Sequence, residues 1–369
     1  MEPIIRPTLF LNERIAQRNI ERMADKAKKS GILFRPHFKS HQSAAIGEWF
    51  REKGINAITV SSLKMARYFS ENGWDDITVA FPVNPLEHEL INALSAEISL
   101  GLIFESTAQI ELLRKNLKNK VIAWVEIDVG DRRSGIWWEQ QDELIKVATS
   151  LKEERLFQFK GILTHSGYSY NSRNQDQVKM VYKESVLKMN ELKDNLQENG
   201  FENMMISFGD TPTCSVMDEF PGINEMRPGN FVFYDIMQEQ ISSCTWQDIS
   251  IALACPVVAL HPLRNEFVIH GGAVHLSKER ILMEGEVESW GKICLGNDDG
   301  WAEPLEDTFV KNISQEHGII KTTTEILTKL SIGDIVFLLP VHSCLTADLM
   351  KGYTTTDGNQ INTIHSNHI

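Results

Sequence analysis

The sequence predicts an α/β chain in which a (β/α)8 TIM-type barrel is followed by a C-terminal all-β domain. Three observations predict it. Short apolar runs alternate with longer helical stretches through the first two thirds of the 369 residues, and eight such runs can be counted. After about Asp235 the helical stretches give way to strands separated by Gly, Asn, Asp and Pro clusters. The barrel is expected over residues 8–238 and the β domain over 239–369, joined by residues 1–7.

The expected barrel strands are 32–39, 57–61, 77–81, 98–104, 121–128, 159–164, 204–208 and 225–227. Asn12 is a plausible N-cap for a charged helix over 13–29. Ser106-Thr107-Ala108-Gln109 fits a capping box opening the helix after the fourth strand. Over 175–199, Val178, Val181, Tyr182, Met189, Leu192 and Leu196 recur at three- and four-residue spacing, and Gly200 supplies the stop. In the second domain, 254–261, 266–271, 281–289 and 335–341 read as strands, with few helical candidates.

The formal net charge of −13 leaves no footprint for nucleic acid, and no basic run suits an anionic membrane. No apolar run is long enough to span a bilayer. Five cysteines, odd in number and unpatterned, argue against a disulfide framework and for a reducing, cytoplasmic compartment. With 42% hydrophobic and 24% charged residues, the composition suits a globular protein working on small molecules.

In a barrel of this kind, the C-terminal ends of the strands and the loops beyond them line the site. Alternation along the first strand puts Leu33, Arg35, His37 and Lys39 on one face. An isolated polar alternation fits a solvated edge strand, but a closed barrel has no edge. Projected inward, Lys39 crowded by Arg35 and His37 is expected to have a depressed pKa and a nucleophilic amine.

The fifth strand ends in Glu126-Ile127-Asp128-Val129-Gly130-Asp131-Arg132-Arg133-Ser134-Gly135, which concentrates charge and glycine and also reads as a polar surface loop. The sixth ends in Thr164-His165-Ser166-Gly167-Tyr168, where a lone histidine is ordinarily structural. The seventh runs into Ser207-Phe208-Gly209-Asp210-Thr211-Pro212-Thr213, and the eighth into Arg227-Pro228-Gly229-Asn230 with Tyr234-Asp235 beyond. Loops after strands seven and eight are the recurrent phosphate site of TIM barrels, although ordinary turns explain either segment alone.

In the second domain, alternation directs His342 and Cys344 of Pro340-Val341-His342-Ser343-Cys344 to the same side. A His-x-Cys pair can chelate zinc, but two ligands fall short of a structural site. The ordinary reading of the pair is a buried cysteine beside a surface histidine. The same holds for His270-Gly271-Gly272-Ala273-Val274-His275 and Glu316-His317-Gly318.

Taken together, Pro7-Thr8, Arg35-Pro36-His37-Phe38-Lys39-Ser40-His41, Asp128-Val129-Gly130 with Arg133-Ser134-Gly135, Arg227-Pro228-Gly229 with Tyr234-Asp235, and Pro340 through Cys344 resemble the metal-activated fold-type III pyridoxal-phosphate enzymes. These share an alanine racemase-like barrel and include D-threonine aldolase and eukaryotic-type D-serine dehydratase. The resemblance runs nearly end to end.

It implies pyridoxal 5'-phosphate held covalently by Lys39, with Arg133 at its phenolic oxygen, His165 against its ring and Arg227 near the ring nitrogen. Ser207, Gly209, Asp210, Thr211, Gly229 and Asn230 are implied around the phosphate, with Tyr234 also a cofactor residue. The implied catalytic residues are Lys39, His37 and His165, and the implied metal ligands are His342 and Cys344. The His-x-Cys form favours zinc, with manganese possible, and leans toward the dehydratases over the aldolases, which show His-x-Asp.

Two departures from the resemblance bear on substrate identity: Gln42 stands where many relatives carry a lysine or arginine, and Tyr168 where dehydratases carry a small polar residue. The leading expectation is a lyase, acting by β-elimination on a 3-hydroxy D-amino acid such as D-serine to give a keto acid and ammonia. Retro-aldol cleavage to glycine and an aldehyde, racemisation, and a non-catalytic pyridoxal-phosphate carrier are the alternatives. A homodimer is what the resemblance implies for assembly.

Overall fold

The computed structural model describes residues 3–366. Residues 1–2, which head the segment expected to join the β domain, and residues 367–369, which end that domain, lie outside the described residues. The chain divides into two compact units. One comprises Glu21–Lys39 and Gly47–Gly229; the other comprises Met1–Ile20, Ser40–Ile46 and Asn230–Ile369.

The first unit is a parallel barrel. Its strands are Leu33–Phe34, Ala57–Val60, Asp76–Pro82, Ser99–Phe104, Val121–Asp128, Phe157–Thr164, Met205–Phe208 and Glu225–Met226. Each is parallel to its neighbour, the eighth pairs back onto the first, and a parallel bridge between His37 and Thr59 ties the first to the second. Register puts Trp124, Glu126, Leu163, Ser207 and Glu225 on one face of the sheet and Val125, Ile162 and Ile206 on the other. On the first of these faces Trp124 and Leu163 pack with Ile103 as a buried cluster.

The first strand is shorter than the expected 32–39. Pro36 has no N–H to give the ladder, so regular pairing stops at Phe34. Single bonds carry the chain onward, from Arg35 N–H to the Met226 carbonyl (3.0 Å), from His37 N–H to the Pro228 carbonyl (2.9 Å) and from Phe38 N–H to the Thr59 carbonyl (2.8 Å).

Local sequence signals place the helices. Asn12 Oδ1 accepts from the Ile15 N–H (3.1 Å) at the head of Glu13–Lys29. Both bonds of the Ser106–Gln109 capping box form ahead of Thr107–Arg114. Helix Gln175–Glu198 buries Val178, Tyr182, Met189, Leu192 and Leu196, leaves Val181 half-buried, and stops ahead of Gly200 at φ +81°.

The second unit is built on a closed antiparallel circuit of six strands. Ile251–His261 pairs with Glu266–His270 on one side and Ile335–Pro340 on the other. The circuit is completed by Gly291–Asn297, Phe309–Ile313 and His317–Lys321, three strands the sequence reading passed over. Residues 8–11, expected to begin the barrel domain, form strand Thr8–Leu11, which pairs with Ile251–Ala254 and buries Leu9, Phe10 and Leu11 in this unit.

The expected strand 281–289 is instead a small hairpin of Ile281–Leu282 and Glu288–Ser289, turned by Gly285 at φ +73°. A further helix, Ser343–Met350, was not anticipated. Among the described residues no helix is long and apolar enough to cross a membrane.

Candidate active site

In the barrel unit, polar groups on the strand face that carries Trp124 and Leu163 form two layers. In the lower one Arg35 is held by two carboxylates that alternation along its own strand does not reveal. Its Nε donates to Glu225 Oε2 (2.8 Å), and Nη1 and Nη2 donate to Asp76 Oδ1 (2.6 Å) and Oδ2 (3.1 Å). Glu225 Oε1 accepts from Ser207 Oγ (2.6 Å), and Ser207 Oγ accepts from Arg227 Nε (2.7 Å). Arg227 Nη2 donates to the Thr164 carbonyl (2.7 Å). Asp76, which the sequence pattern does not single out, shares Arg35 with Glu225 because opposite charges are the inexpensive partners for a buried guanidinium.

The upper layer gathers His37, Lys39, Arg133 and His165. Burial, followed by the charges of Lys39 and Arg227, holds His37 well below the ordinary histidine range. Its Nδ1 accepts from the Lys39 N–H (3.4 Å), pinning the lysine's backbone. The Gly209 carbonyl takes the His165 Nδ1–H at 2.6 Å, which leaves Nε2 as the bare nitrogen. Burial, with Arg133 and Lys39 adding to it, pushes His165 down to about 3, so the ring is neutral at any working pH.

Arg133 lies 3.9 Å from both Glu126 Oε1 and Asp131 Oδ2. Glu126 heads the charged end of the fifth strand, where the sequence assigns it no role. Burial raises its carboxyl above the usual range, and its Oε2 has no partner among the described residues.

At the seventh loop, Asp210 caps helix Thr211–Val216. Its Oδ1 accepts from the Thr213 N–H (2.8 Å) and Ser169 Oγ (2.9 Å), and its Oδ2 from Thr213 Oγ1 (2.8 Å). A carboxylate so committed shapes the loop and offers no donor to a phosphate, and Ser207 is equally committed within the barrel. Thr211 Oγ1, by contrast, is buried with no partner. A Cβ on Gly209 would lie 2.9 Å from Arg227, so only glycine lets the two segments approach this closely. The unspent Thr211 hydroxyl beside that glycine, with Lys39 and a neutral His165 on the same barrel, fits a phosphorylated pyridoxal.

In the second unit, His342 is the residue before helix Ser343–Met350. Strand alternation therefore does not align it with Cys344, contrary to expectation; the turn into the helix does. His342 and Cys344 are hydrogen-bonded. Burial opposes charge on His342, yet Cys344 beside it raises the imidazole to about 9. Burial likewise opposes a thiolate at Cys344, but His342 and the Ser40 hydroxyl bring it below the ordinary thiol value.

The Asn230 side-chain amide is part of this cluster. Its Nδ2 donates to Asp235 Oδ2 (2.6 Å), Ser343 Oγ (2.9 Å) and Cys344 Sγ (3.5 Å). Asp235 Oδ2 also accepts from the Ser343 N–H (3.0 Å), so it fixes the helix start. Tyr234, at φ +50°, is buried just before it. Ser40 and Asp235 stand inside the quoted motifs, which assign neither of them a role.

A second group with metal-ligand chemistry also lies in this unit. His270, His275 and Glu316 offer ligand atoms all within 4.8 Å of one another, a candidate metal-binding site.

Residues 12–236 match the family model of the alanine racemase N-terminal domain, and residues 250–356 that of the serine dehydratase domain. The chain is 28% identical to D-serine dehydratase of Dictyostelium discoideum, over 96% of this chain and 94% of the relative. It is 26% identical to D-threo-3-hydroxyaspartate dehydratase of Delftia sp. (strain HT23), over 91% and 90%. The solved structure of the Delftia enzyme superposes with a TM-score of 0.89 at 24% identity, covering 97% of each chain. The chain thus belongs to the alanine racemase-like, fold-type III pyridoxal-phosphate enzymes, among the lyases related to D-serine and D-threo-3-hydroxyaspartate dehydratases.

Proposed function

We propose that this protein is a metal-dependent dehydratase that eliminates water from a 3-hydroxy D-amino acid, D-serine in the first instance, giving a keto acid and ammonia. The observation that carries the reading is the half-buried His342–Cys344 pair. His342 and Cys344, held by Ser40, Asn230 and Asp235, are an imidazole and a thiol of lowered pKa that suit a thiophilic ion such as zinc, the imidazole giving up its proton as the ion binds. The dehydratases among the relatives support the same bond-breaking step.

Lys39 would hold pyridoxal phosphate, Thr211 its phosphate, Arg133 its phenolic oxygen, and His342 with Cys344 the metal. Bound there, the cofactor supplies an electron sink for charge at the substrate Cα, and the metal a Lewis acid for the β-hydroxyl. Lys39 Nζ would be the base that takes the substrate Cα proton. His165 stays neutral and orients without supplying a proton, because its Nδ1–H is spent on the Gly209 carbonyl. His37, equally neutral, fixes the lysine's main chain.

The test is a product assay of the zinc-loaded protein with D-serine, D-threonine and D-threo-3-hydroxyaspartate. Keto acid and ammonia in equal amounts, abolished by a chelator and restored by zinc, are expected. Glycine with an aldehyde, or the L-amino acid, would replace the proposal with the aldolase or racemase reading.

A further inference from the structure

His270 ends strand Glu266–His270, His275 lies on the one-turn helix Ala273–Leu276, and Glu316 sits in the turn ahead of strand His317–Lys321. Three segments thus converge. Glu316 Oε2 is 3.5 Å from His270 Nε2 and 3.8 Å from His275 Nε2, and the two imidazoles meet edge to face with centroids 5.7 Å apart. Donors of a tetrahedral zinc with ligand distances of about 2.0–2.1 Å lie about 3.4 Å apart. Small side-chain adjustments therefore bring the three atoms around one ion.

The backbone holds them there. Gly271 N–H donates to the Glu316 carbonyl (2.9 Å) and Ala273 N–H to the Ser314 carbonyl (2.8 Å). A Cβ on Gly272 would come within 2.4 Å of the Ser314 carbonyl oxygen, and one on Gly318 within 2.6 Å of the Gly271 oxygen. Any side chain at either position would push the Glu316 turn away from the histidines.

We propose that His270, His275 and Glu316 form a second divalent-metal site, of the two-histidine, one-carboxylate kind suited to zinc, separate from the His342–Cys344 pair. Side-chain exposures of 39% and 49% for His270 and Glu316 leave room for water to complete the coordination. One contact is given up. His275 Nδ1 accepts from the Gly272 N–H (3.2 Å), whereas a ring ligating through Nε2 carries its proton on Nδ1. Binding is correspondingly weaker than at an all-preset site.

The ion's role is structural. Thr346 Oγ1 donates to the Leu276 carbonyl (3.4 Å) at the end of the helix that carries His275, and to the His342 carbonyl (3.3 Å). Metal at the triad therefore fixes the short helix against which the start of Ser343–Met350 is held.

The experiment is zinc titration of the full chain after chelator stripping, read by calorimetry and by metal analysis, with cobalt absorbance to report the donor set. The wild type is expected to bind two equivalents, the His342→Ala/Cys344→Ala variant one, and the His270→Ala/Glu316→Gln variant one fewer than wild type. If His342 and Cys344 bind no metal, the wild type and His342→Ala/Cys344→Ala both bind one equivalent and His270→Ala/Glu316→Gln none, so the two proposals fail separately.

Zinc is also expected to raise the melting temperature of His342→Ala/Cys344→Ala by a few degrees, but not when Glu316→Gln is added. Glu316→Gln alone, at an exposed position, guards against misfolding of the double variant, and circular dichroism checks the fold. Equal stoichiometry in the wild type and in every variant at His270 and Glu316, or dissociation constants weaker than about 1 mM for the His342→Ala/Cys344→Ala protein, would overturn the second site.

Discussion

Cys344 Sγ and Ser40 Oγ share a hydrogen bond of 3.3 Å, and Ser40 directly follows Lys39 in the chain. Its hydroxyl is one of the two groups that lower the Cys344 thiol against the effect of burial. Ser40→Ala is therefore expected to raise the pKa of Cys344 in metal-stripped protein. Thiolate absorbance at 240 nm across a pH titration, with Cys344→Ala as the blank, reads it out, and an unchanged midpoint would remove Ser40 from the account.

Cofactor and metal should separate by mutation. Lys39→Ala is expected to lose the visible absorbance that the wild type develops with pyridoxal phosphate, and to lose turnover by about 10³-fold or more. His342→Ala should keep that absorbance, bind one metal ion fewer, and lose turnover by at least about 10-fold to 100-fold at ambient zinc. Spectra and metal analysis on the same preparations check both. Full activity in His342→Ala would leave the cofactor assignment standing without the metal mechanism.

What the sequence made legible follows a physical division. Strand and helix order in the barrel was readable because each unit is local, as in the capping box at Ser106 and Gln109 or the apolar stripe of 175–199. The opposing partners of charged groups were not. Arg35 was placed beside Lys39 by alternation, but Asp76 and Glu225, 41 and 190 residues away, claim it. Asn230 was read as a phosphate residue from its loop, whereas its amide is engaged by Asp235 and Ser343, the latter 113 residues on.

In the β unit the strands at Phe309–Ile313 and His317–Lys321 are short, polar on one side and joined by a tight turn, so periodicity gave them no contrast. His342 and Cys344 meet at a helix start, a feature that the run into Pro340 disguises as continuing strand.

Acid should unfold the protein through its buried histidines. His41 and His165 are each pushed down to about 3 by burial, against an ordinary value of 6.5, and His37 is also well below it. Between about pH 3 and 6.5 the unfolded chain binds protons that these folded rings refuse, so stability is fully present above 6.5 and falls as the pH drops. The melting temperature is expected to decline progressively below pH 6.5, and more gently in His41→Asn, which cannot charge. Parallel melting curves for the wild type and His41→Asn from pH 7 to 4.5 would show that His41 titrates normally in the fold.

Glu225 is the pivot of the lower layer, 1% exposed, joining Arg35 directly and Arg227 through Ser207. Burial lowers the Arg227 pKa, and Glu225 is the largest influence opposing it. Removing Glu225 leaves Arg35 to Asp76 alone and withdraws the acceptor of Ser207. Breaking one side of a buried pair costs about 3–5 kcal/mol, whereas replacing both sides with apolar groups of similar volume is often neutral. Glu225→Ala is expected to lose about 3–5 kcal/mol in urea unfolding, and Arg35→Met/Glu225→Leu less than the sum of the two single changes. A loss below about 0.5 kcal/mol for Glu225→Ala would mean that the barrel interior is wet enough to solvate both guanidinium groups, and the layer would then be a by-product of the fold and not one of its supports.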